Sequence, residues 1–353
     1  MRLREKWLRV STLCFLLLLL AICPMSGQQE RKLSQLGEGI YEIQHEPNGN
    51  TTVIVGNRQV FVVDTCFLPS AARADIAQIR KWTDKPVSFV LNTHFHNDHN
   101  FGNRIYLDAY PALTIIAHVE TKKDMDMFGP GSLSREEKTK SDILQMQNSG
   151  KGPDGKDLTA DDKKQLKDAL AQQDAIITEF KNVRFQSATL TFDHDFTVDL
   201  GDRQVQVKFL GRGNTSGDAV VYLPKEKIVI TGDLVVSPIP YFYDGYPVEW
   251  VQTLESLAAL SADTIIPGHG PIMHDKTHIY LVRDLIKSAV DQVNEKLRHS
   301  GPAMFQTLDD VKSAVDLTSF RRRFAGNDKY LGAVFDDEAS RLVKLVFEED
   351  SLR

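Results

Sequence analysis

The chain has 353 residues, of which 42% are hydrophobic and 25% are charged, so it can build a large globular core. Its formal net charge is -6, and no basic stripe follows the N-terminal segment. This charge excludes the positive surface that binding to nucleic acid requires. We therefore expect one large domain, with or without a small extension, that acts on a small-molecule substrate.

The N-terminal segment has the order of a secretory signal. Basic residues at positions 2, 4, 6 and 9 precede an apolar run from residue 10 to residue 23. The run is shorter than the roughly 18 residues that a stable membrane span needs. We predict that residues 1–27 form a signal peptide or an N-terminal anchor, and that the body is exported to the periplasm or secreted. Membrane contact is expected only through this segment.

After a predicted polar linker at residues 28–34, β-branched and aromatic runs bounded by turn residues predict strands. A helix at residues 71–82 interrupts them, and alternating strands and helices indicate a layered α/β fold. The composition then becomes charged and helix-forming, which predicts a helical insertion at about 120–180, either a wall over a site or a solvated excursion. The predicted strands of this first half are residues 39–43, 51–55, 59–64, 87–91 and 113–117.

The second half repeats the arrangement of strands followed by helices. A main domain is predicted at residues 28–298, followed by a C-terminal helical extension at residues 299–353. Helices are predicted at residues 250–260, 276–298, 307–314 and 337–347. A second set of strands is predicted at residues 188–192, 196–200, 204–210, 219–222 and 228–231, with a last strand at 264–266.

The clearest chemistry follows the strand at residues 87–91, where His94, His96, Asp98 and His99 lie within six positions. Alternate residues of an extended segment point to the same side, and imidazole nitrogen and carboxylate oxygen atoms suit zinc. His99 breaks this alternation, so it must lie on a turn just after the strand. The spacing predicts a metal site.

Two further candidate ligands directly follow later strands. Asp233 lies in a Thr-Gly-Asp sequence, and His269 lies in a Pro-Gly-His-Gly sequence. Together with the His-x-His-x-Asp-His motif, this order resembles the metallo-β-lactamase superfamily from about residue 39 to residue 272. The resemblance implies an αββα sandwich of two mixed β-sheets flanked by helices, with a metal site at one edge.

The resemblance also implies two zinc ions bridged by Asp233. The other implied ligands are His94 and His96 for the first ion, and Asp98, His99 and His269 for the second. At residue 214 the superfamily usually has histidine, whereas this chain has Asn214. An amide oxygen is a poorer zinc ligand than an imidazole, so the first site should be weakened and one or two zinc ions are expected.

The implied activity is hydrolysis of an ester, thioester, lactone or β-lactam bond. Zinc lowers the pKa of a bound water towards about 7, which makes hydroxide available at neutral pH. Asp98 is expected to orient or deprotonate that water, and Asn214, if it is not a ligand, to donate to the oxyanion. Two alternatives stay open: a single iron ion with persulfide dioxygenase-like chemistry, and a non-catalytic metal-binding protein on the same fold.

Cys66 is the one cysteine that follows residue 27. The exported body is therefore expected to contain no intramolecular disulfide. Because Cys66 follows an apolar run, a buried small side chain is favoured over a nucleophile.

Overall fold

The computed structural model describes residues 31–153, 155–299 and 307–351. The predicted signal peptide or anchor at residues 1–27 lies outside these residues. Within the described ranges, no helix is both long enough and apolar enough to cross a membrane.

A seven-stranded mixed sheet forms the first half of the fold. Its strands, in the order in which they pair, are β1 (Lys32–Gly37), β2 (Ile40–His45), β3 (Asn48–Val55), β4 (Val60–Val63), β5 (Val87–Leu91), β6 (Thr114–His118) and β7 (Leu190–Phe192). The pairs from β1 to β4 are antiparallel, and the pairs from β4 to β7 are parallel. The strands predicted at residues 39–43, 51–55 and 59–64 are therefore the consecutive antiparallel strands β2, β3 and β4.

A five-stranded mixed sheet forms the second half. Its strands, in the order in which they pair, are β12 (Thr264–Ile266), β11 (Ile228–Ile230), β10 (Ala219–Leu223), β9 (Gln204–Phe209) and β8 (Phe196–Asp199). The β11–β12 pair is parallel, and the other pairs are antiparallel.

Helices cover the outer faces of both sheets. Those of the first half are α1 (Pro69–Trp82), α2 (Asn97–Asn100), α3 (Asn103–Ala109), α4 (Val119–Phe128), α5 (Ser132–Ser149) and α6 (Ala160–Phe180). Those of the second half are α7 (Pro247–Ala259), α8 (Thr277–His299), α9 (Leu308–Ala314), α10 (Thr318–Ala325) and α11 (Lys329–Ser351). Short 3-10 turns lie at Gly129–Gly131 and Gly232–Leu234.

Three apolar layers hold these elements together. Between the sheets, Phe61 of the first sheet and Val221 of the second belong to one buried cluster. Ile79 of α1 packs on the outer face of the first sheet, and Trp250 of α7 packs on the outer face of the second. Each such side chain contributes roughly 1.5–3 kcal/mol through its removal from water. The predicted αββα sandwich of two mixed sheets is confirmed.

Some predicted boundaries and pairings are wrong. Residues 32–34, predicted to lie in a polar linker, form part of β1, because its backbone pairs with β2 although its side chains stay largely exposed. Residues 190–192, predicted to belong to the second group of strands, form β7 in the first sheet. Helix α11 begins at Lys329 instead of residue 337, and α10 was not predicted.

Helices α4 to α6 form the segment predicted as an insertion. Helix α6 begins with a capping box between Thr159 and Asp162, and its Leu166 packs against Ile143 of α5. The ring of Phe128, at the end of α4, lies 5.5 Å from the ring of Phe95. This helical segment therefore contacts the loop that carries the histidine motif.

One buried acid on β2 should make stability depend on pH. Glu42 is wholly buried, and neither carboxyl oxygen has a hydrogen-bond partner within the described part of the chain. Burial raises the pKa of Glu42 from 4.5 to about 8, so the folded state binds a proton that the unfolded chain releases. The free energy of unfolding should therefore fall as the pH rises from about 4.5 through 8.

We predict that Glu42→Gln removes this pH dependence, because the amide cannot ionise. Urea unfolding at pH 9 should show a gain of roughly 2–4 kcal/mol over the parent protein, and the gain should shrink towards zero at pH 5. The exposed Glu38→Gln is the matched control and should show no gain at either pH. Equal stabilities of Glu42→Gln and the parent at pH 9 would contradict the prediction.

Candidate metal centre

The loop after β5 brings the predicted motif to one edge of the two sheets. His94 lies just after this strand, and His96 immediately precedes the short helix α2. Helix α2 carries Asp98 and His99, so the chain turns between the two halves of the motif. This turn is the one that the broken alternation at His99 predicts.

Asp233 and His269 reach the same edge from the second sheet. Asp233 lies in the 3-10 turn after β11, and His269 lies in the loop after β12. Because β11 and β12 are parallel, their carboxyl ends lie side by side. Gly268 permits this approach, since a Cβ atom at this position would lie 1.9 Å from Oδ1 of Asp233.

Asp98, His99 and His269 form one group of facing ligand atoms. Nε2 of His99 lies 3.1 Å from Nε2 of His269. Oδ2 of Asp98 lies 3.0 Å from Nε2 of His269 and 3.5 Å from Nε2 of His99. Ligand atoms about 2.0–2.1 Å from one tetrahedral zinc ion are about 3.3 Å apart, so this group has the required separations.

The remaining predicted ligands lie beside this group. Nε2 of His94 lies 3.0 Å from Nδ1 of His96 and 3.7 Å from Oδ2 of Asp233. Oδ1 of Asp233 faces the other way, 3.3 Å from Nε2 of His99 and 3.6 Å from Nε2 of His269. Asp233 thus directs one oxygen towards each group, as a bridging carboxylate would.

The donor set fits a divalent cation. Three buried or partly buried carboxylates, Asp64, Asp98 and Asp233, surround the histidines. Oδ1 of Asp233 has no hydrogen-bond partner among the described residues, although its side chain is buried. An unpartnered buried carboxylate oxygen is costly unless a cation compensates it. Imidazole and carboxylate donors at these separations are those that zinc prefers.

The charged side chains of the candidate metal centre favour a positive charge between them. Burial lowers the pKa of His94 well below its ordinary value. Burial also lowers the pKa of His99, but neighbouring carboxylates, Asp233 foremost, raise it well above its ordinary value. Burial raises the pKa of Asp233, but the adjacent histidines, His269 foremost, hold it well below the ordinary value. The carboxylate of Asp233 therefore stays ionised, and its negative charge attracts a cation.

Sequence reasoning missed Asp64, which orients two of the histidines. Oδ2 of Asp64 lies 2.8 Å from Nδ1 of His99 and accepts a hydrogen bond from the Thr93 hydroxyl at 2.8 Å. Oδ1 accepts one from the Thr93 backbone N–H at 2.8 Å. The Thr93 hydroxyl lies 3.0 Å from Nδ1 of His94. One carboxylate therefore fixes both rings, with Nε2 of each ring facing the centre.

The other two histidines also have outer partners. Nδ1 of His269 lies 3.0 Å from the carbonyl oxygen of Pro47, which can only accept a hydrogen bond. Nε2 of His96 lies 3.2 Å from Oδ2 of Asp244. In each ring the nitrogen that faces outward carries the proton, so the nitrogen that faces the centre is left to bind a metal.

Asn214 lies in the loop between β9 and β10. Its side chain is wholly buried, and within the described ranges neither its amide oxygen nor its nitrogen has a hydrogen-bond partner. The end of this loop lies near the histidine motif, because the backbone N–H of Ala219, the first residue of β10, donates to the carbonyl oxygen of Thr93 at 2.8 Å. A buried amide without partners is costly, so Asn214 has unused capacity to contact a ligand.

Aromatic rings border the centre. The ring of Tyr241 lies 5.3 Å from the ring of His269, and the ring of Phe95 lies 4.7 Å from the ring of His96. Phe128 of the insertion packs beside Phe95. These rings present apolar surface next to the polar donors, as small-molecule sites commonly do.

Comparisons with known proteins agree with this geometry. The family model of the metallo-beta-lactamase superfamily matches residues 46–269. The chain is 24% identical over 295 residues to a linear primary-alkylsulfatase of Pseudomonas sp. (strain ATCC 19151), an alignment that covers 77% of this chain and 52% of that protein. It is 27% identical over 105 residues to a metallo-beta-lactamase type 2 of Elizabethkingia meningoseptica, covering 28% of this chain and 42% of that protein. The chain thus spans about half the length of these relatives, or less.

Solved structures share the fold. The DIM-1 metallo-beta-lactamase superposes with a TM-score of 0.50 at 19% identity, covering 74% of this chain and 98% of that chain. A metallo-beta-lactamase from Pontibacter korlensis superposes with a TM-score of 0.51 at 17% identity, covering 73% of this chain and 99% of that chain. From the family match and this shared fold, we conclude that the chain belongs to the metallo-beta-lactamase superfamily.

Proposed function

We propose that the protein is a zinc-dependent hydrolase that cleaves an ester, thioester, lactone, β-lactam or sulfate ester bond of a small molecule. The observation that carries this proposal is the position of Asp233 between two groups of donors, with one oxygen directed towards each. The relatives named above are an alkylsulfatase and a beta-lactamase, and both names describe hydrolases. His94, His96 and Asp233 would hold a first zinc ion, and Asp98, His99, Asp233 and His269 would hold a second.

The chain's own residues supply proton transfer and charge stabilisation. Bound zinc would supply hydroxide near neutral pH and polarise the scissile bond. Asp98, whose side chain is 27% exposed, is the carboxylate at the centre that solvent reaches, so it can accept a proton from the attacking water. Asn214 has a buried, unpartnered amide in the loop that ends near the histidine motif, and its proposed role is to donate to the oxyanion that develops during attack.

The proposed substrates are small esters, thioesters, lactones, β-lactams and alkyl sulfate esters. The last class is added because the alkylsulfatase alignment covers most of this chain. The aromatic rings of Phe95, Phe128 and Tyr241 would contact the apolar part of such a molecule. We further propose that the enzyme acts outside the cytoplasm, on the basis of the signal-like N-terminal sequence.

Elemental analysis of the full chain, purified without chelator and without added metal, tests the proposal together with a hydrolysis panel of these five substrate classes. Only the zinc that Asp233→Ala loses is counted, because zinc that this variant retains lies outside the candidate metal centre. Near two such zinc ions per chain, with turnover that a chelator abolishes, is the expected result. Near one zinc ion with the same turnover would support a single-metal hydrolase at Asp98, His99, Asp233 and His269. One iron ion with oxygen uptake, or no metal and no turnover on any class, would overturn the proposal.

The variant Asn214→His should strengthen the first zinc site, because imidazole is a better zinc ligand than an amide. The expected result is tighter binding of the weaker zinc ion by roughly tenfold or more, with the stronger ion unchanged. Zinc titration against a chromophoric chelator measures both affinities. The matched control is Asn214→Ala, which adds no ligand and should not tighten either site. Unchanged affinity in Asn214→His would show that residue 214 does not limit occupancy.

A further inference from the structure

A second group of metal-binding side chains lies between the first sheet and its covering helices. His45 ends β2, Cys66 follows β4, and Asp75 lies on α1. A ring nitrogen of His45, the sulfur of Cys66 and a carboxylate oxygen of Asp75 all lie within 4.8 Å of one another. All three side chains are buried, and Nε2 of His45 lies 2.9 Å from Oδ2 of Asp75.

A polar group in the same region has no partner. The hydroxyl of Tyr106 on α3 is wholly buried and makes no hydrogen bond to any described residue. Burial, and after it the negative charge of Asp75, raises the pKa of Tyr106 well above its ordinary value. Tyr106 and Cys66 belong to the same buried cluster, so the unpartnered oxygen of Tyr106 is a candidate further donor.

We propose that His45, Cys66 and Asp75 bind one zinc ion at a structural site separate from the candidate metal centre. Sulfur and imidazole donors select zinc over magnesium or calcium, which prefer oxygen ligands. Structural zinc sites have four donors, and the hydroxyl of Tyr106 is the candidate for the fourth. The site is closed to substrate because its side chains are buried, so its role is structural.

Charge balance supports zinc at this site. On binding, the thiol of Cys66 releases its proton to solvent and binds as thiolate. The thiolate and the carboxylate of Asp75 then neutralise the two charges of the zinc ion. Arg31, whose guanidinium lies 3.0 Å from Oδ1 of Asp75, adds one positive charge at the edge of this group, where its side chain is 27% exposed to solvent.

Zinc bound at this site would stabilise the position of His99 in the candidate metal centre. Cys66 is two residues from Asp64, which orients His99. Between them, the backbone N–H of Thr65 donates to the carbonyl oxygen of His99 at 2.8 Å. A zinc ion on Cys66 would therefore fix the segment that holds His99. The competing interpretation is a metal-free ionic network of Arg31, His45 and Asp75.

Cobalt substitution tests the proposal. In the full chain carrying Cys14→Ser and Cys23→Ser, Cys66 is the sole thiol. After chelation, titration with cobalt(II) should produce a thiolate-to-cobalt charge-transfer band in the near ultraviolet, whose final intensity corresponds to one thiolate-bound cobalt ion per chain once all sites are filled. The proposed ligands of the candidate metal centre are nitrogen and oxygen atoms only, so they cannot produce this band.

Adding Cys66→Ser should abolish the band and lower the cobalt content by one ion per chain. Adding His269→Ala, which removes a proposed ligand of the candidate metal centre, should leave the band in place.

A second measurement tests the proposal without the Cys66→Ser variant, in case that variant fails to fold. X-ray absorption of the zinc-loaded protein with both N-terminal cysteines replaced should show a sulfur shell at about 2.3 Å from zinc, in an amount equal to one sulfur per chain averaged over all bound zinc ions. No charge-transfer band at saturating cobalt, or zinc surrounded by nitrogen and oxygen alone, would overturn the proposal in favour of the ionic network. Neither readout depends on hydrolysis, so failure of the proposed function would not affect this result.

Discussion

Replacing Asp233 with alanine should abolish hydrolysis and most zinc binding. Its two oxygens face His94 on one side and His99 on the other, at 3.7 and 3.3 Å. Loss of a residue that only orients a ligand already costs about 10–100-fold in metal affinity or activity, so loss of a shared ligand should cost more than about a hundredfold. Elemental analysis and the turnover of the best substrate of the panel measure the effect.

The matched control is Asp157→Ala, the same substitution at a carboxylate that is 92% exposed. Asp157 pairs with Lys151 at 3.4 Å, and such a surface pair contributes at most about 1 kcal/mol. This variant should keep the zinc content and turnover of the parent protein. Circular dichroism of both variants checks that the fold is intact. If Asp233→Ala retained full zinc and full turnover, the position of Asp233 between the two groups would have no functional meaning.

The candidate metal centre was largely predictable because its ligands follow strands in recognisable local sequences. The motif from His94 to His99 is continuous in the chain. Asp233 and His269 each follow a short apolar strand, and the parallel pairing of β11 with β12 brings both to one edge. For such residues, the sequence contains both the chemical identity of the donor and its place at the end of a strand.

Features that depend on which elements become neighbours were not predictable. Asp64 orients His99 because β4 pairs in parallel with β5, and nothing in the residues around Asp64 shows that pairing. The same holds for β7, whose sequence does not reveal that it joins the first sheet. Cys66 was expected to be buried, and it is buried. Its neighbours His45 and Asp75 lie on two other elements, β2 and α1, so the second ligand group appears only in the folded chain.

The substitution Asp64→Asn should weaken zinc binding without changing the fold. Asp64 has a φ of 60°, in the left-handed region, which asparagine tolerates better than other side chains that carry a Cβ atom. The amide keeps one oxygen to accept the hydrogen bond from the Thr93 backbone. Its NH2 group cannot accept the hydrogen bonds that His99 and the Thr93 hydroxyl donate to Oδ2 of the parent carboxylate.

We therefore expect Asp64→Asn to lower the affinity of the His99 zinc site by about 10–100-fold, because the ring loses its orientation and basicity. Zinc titration against a chromophoric chelator measures this change, and added zinc should restore part of the lost turnover. Asp64→Ala is the comparison: it should lose the same affinity but also about 1 kcal/mol of stability, since alanine is disfavoured at positive φ. Parent-like zinc affinity in Asp64→Asn would mean that Asp64 holds the loop backbone and has no effect on the metal.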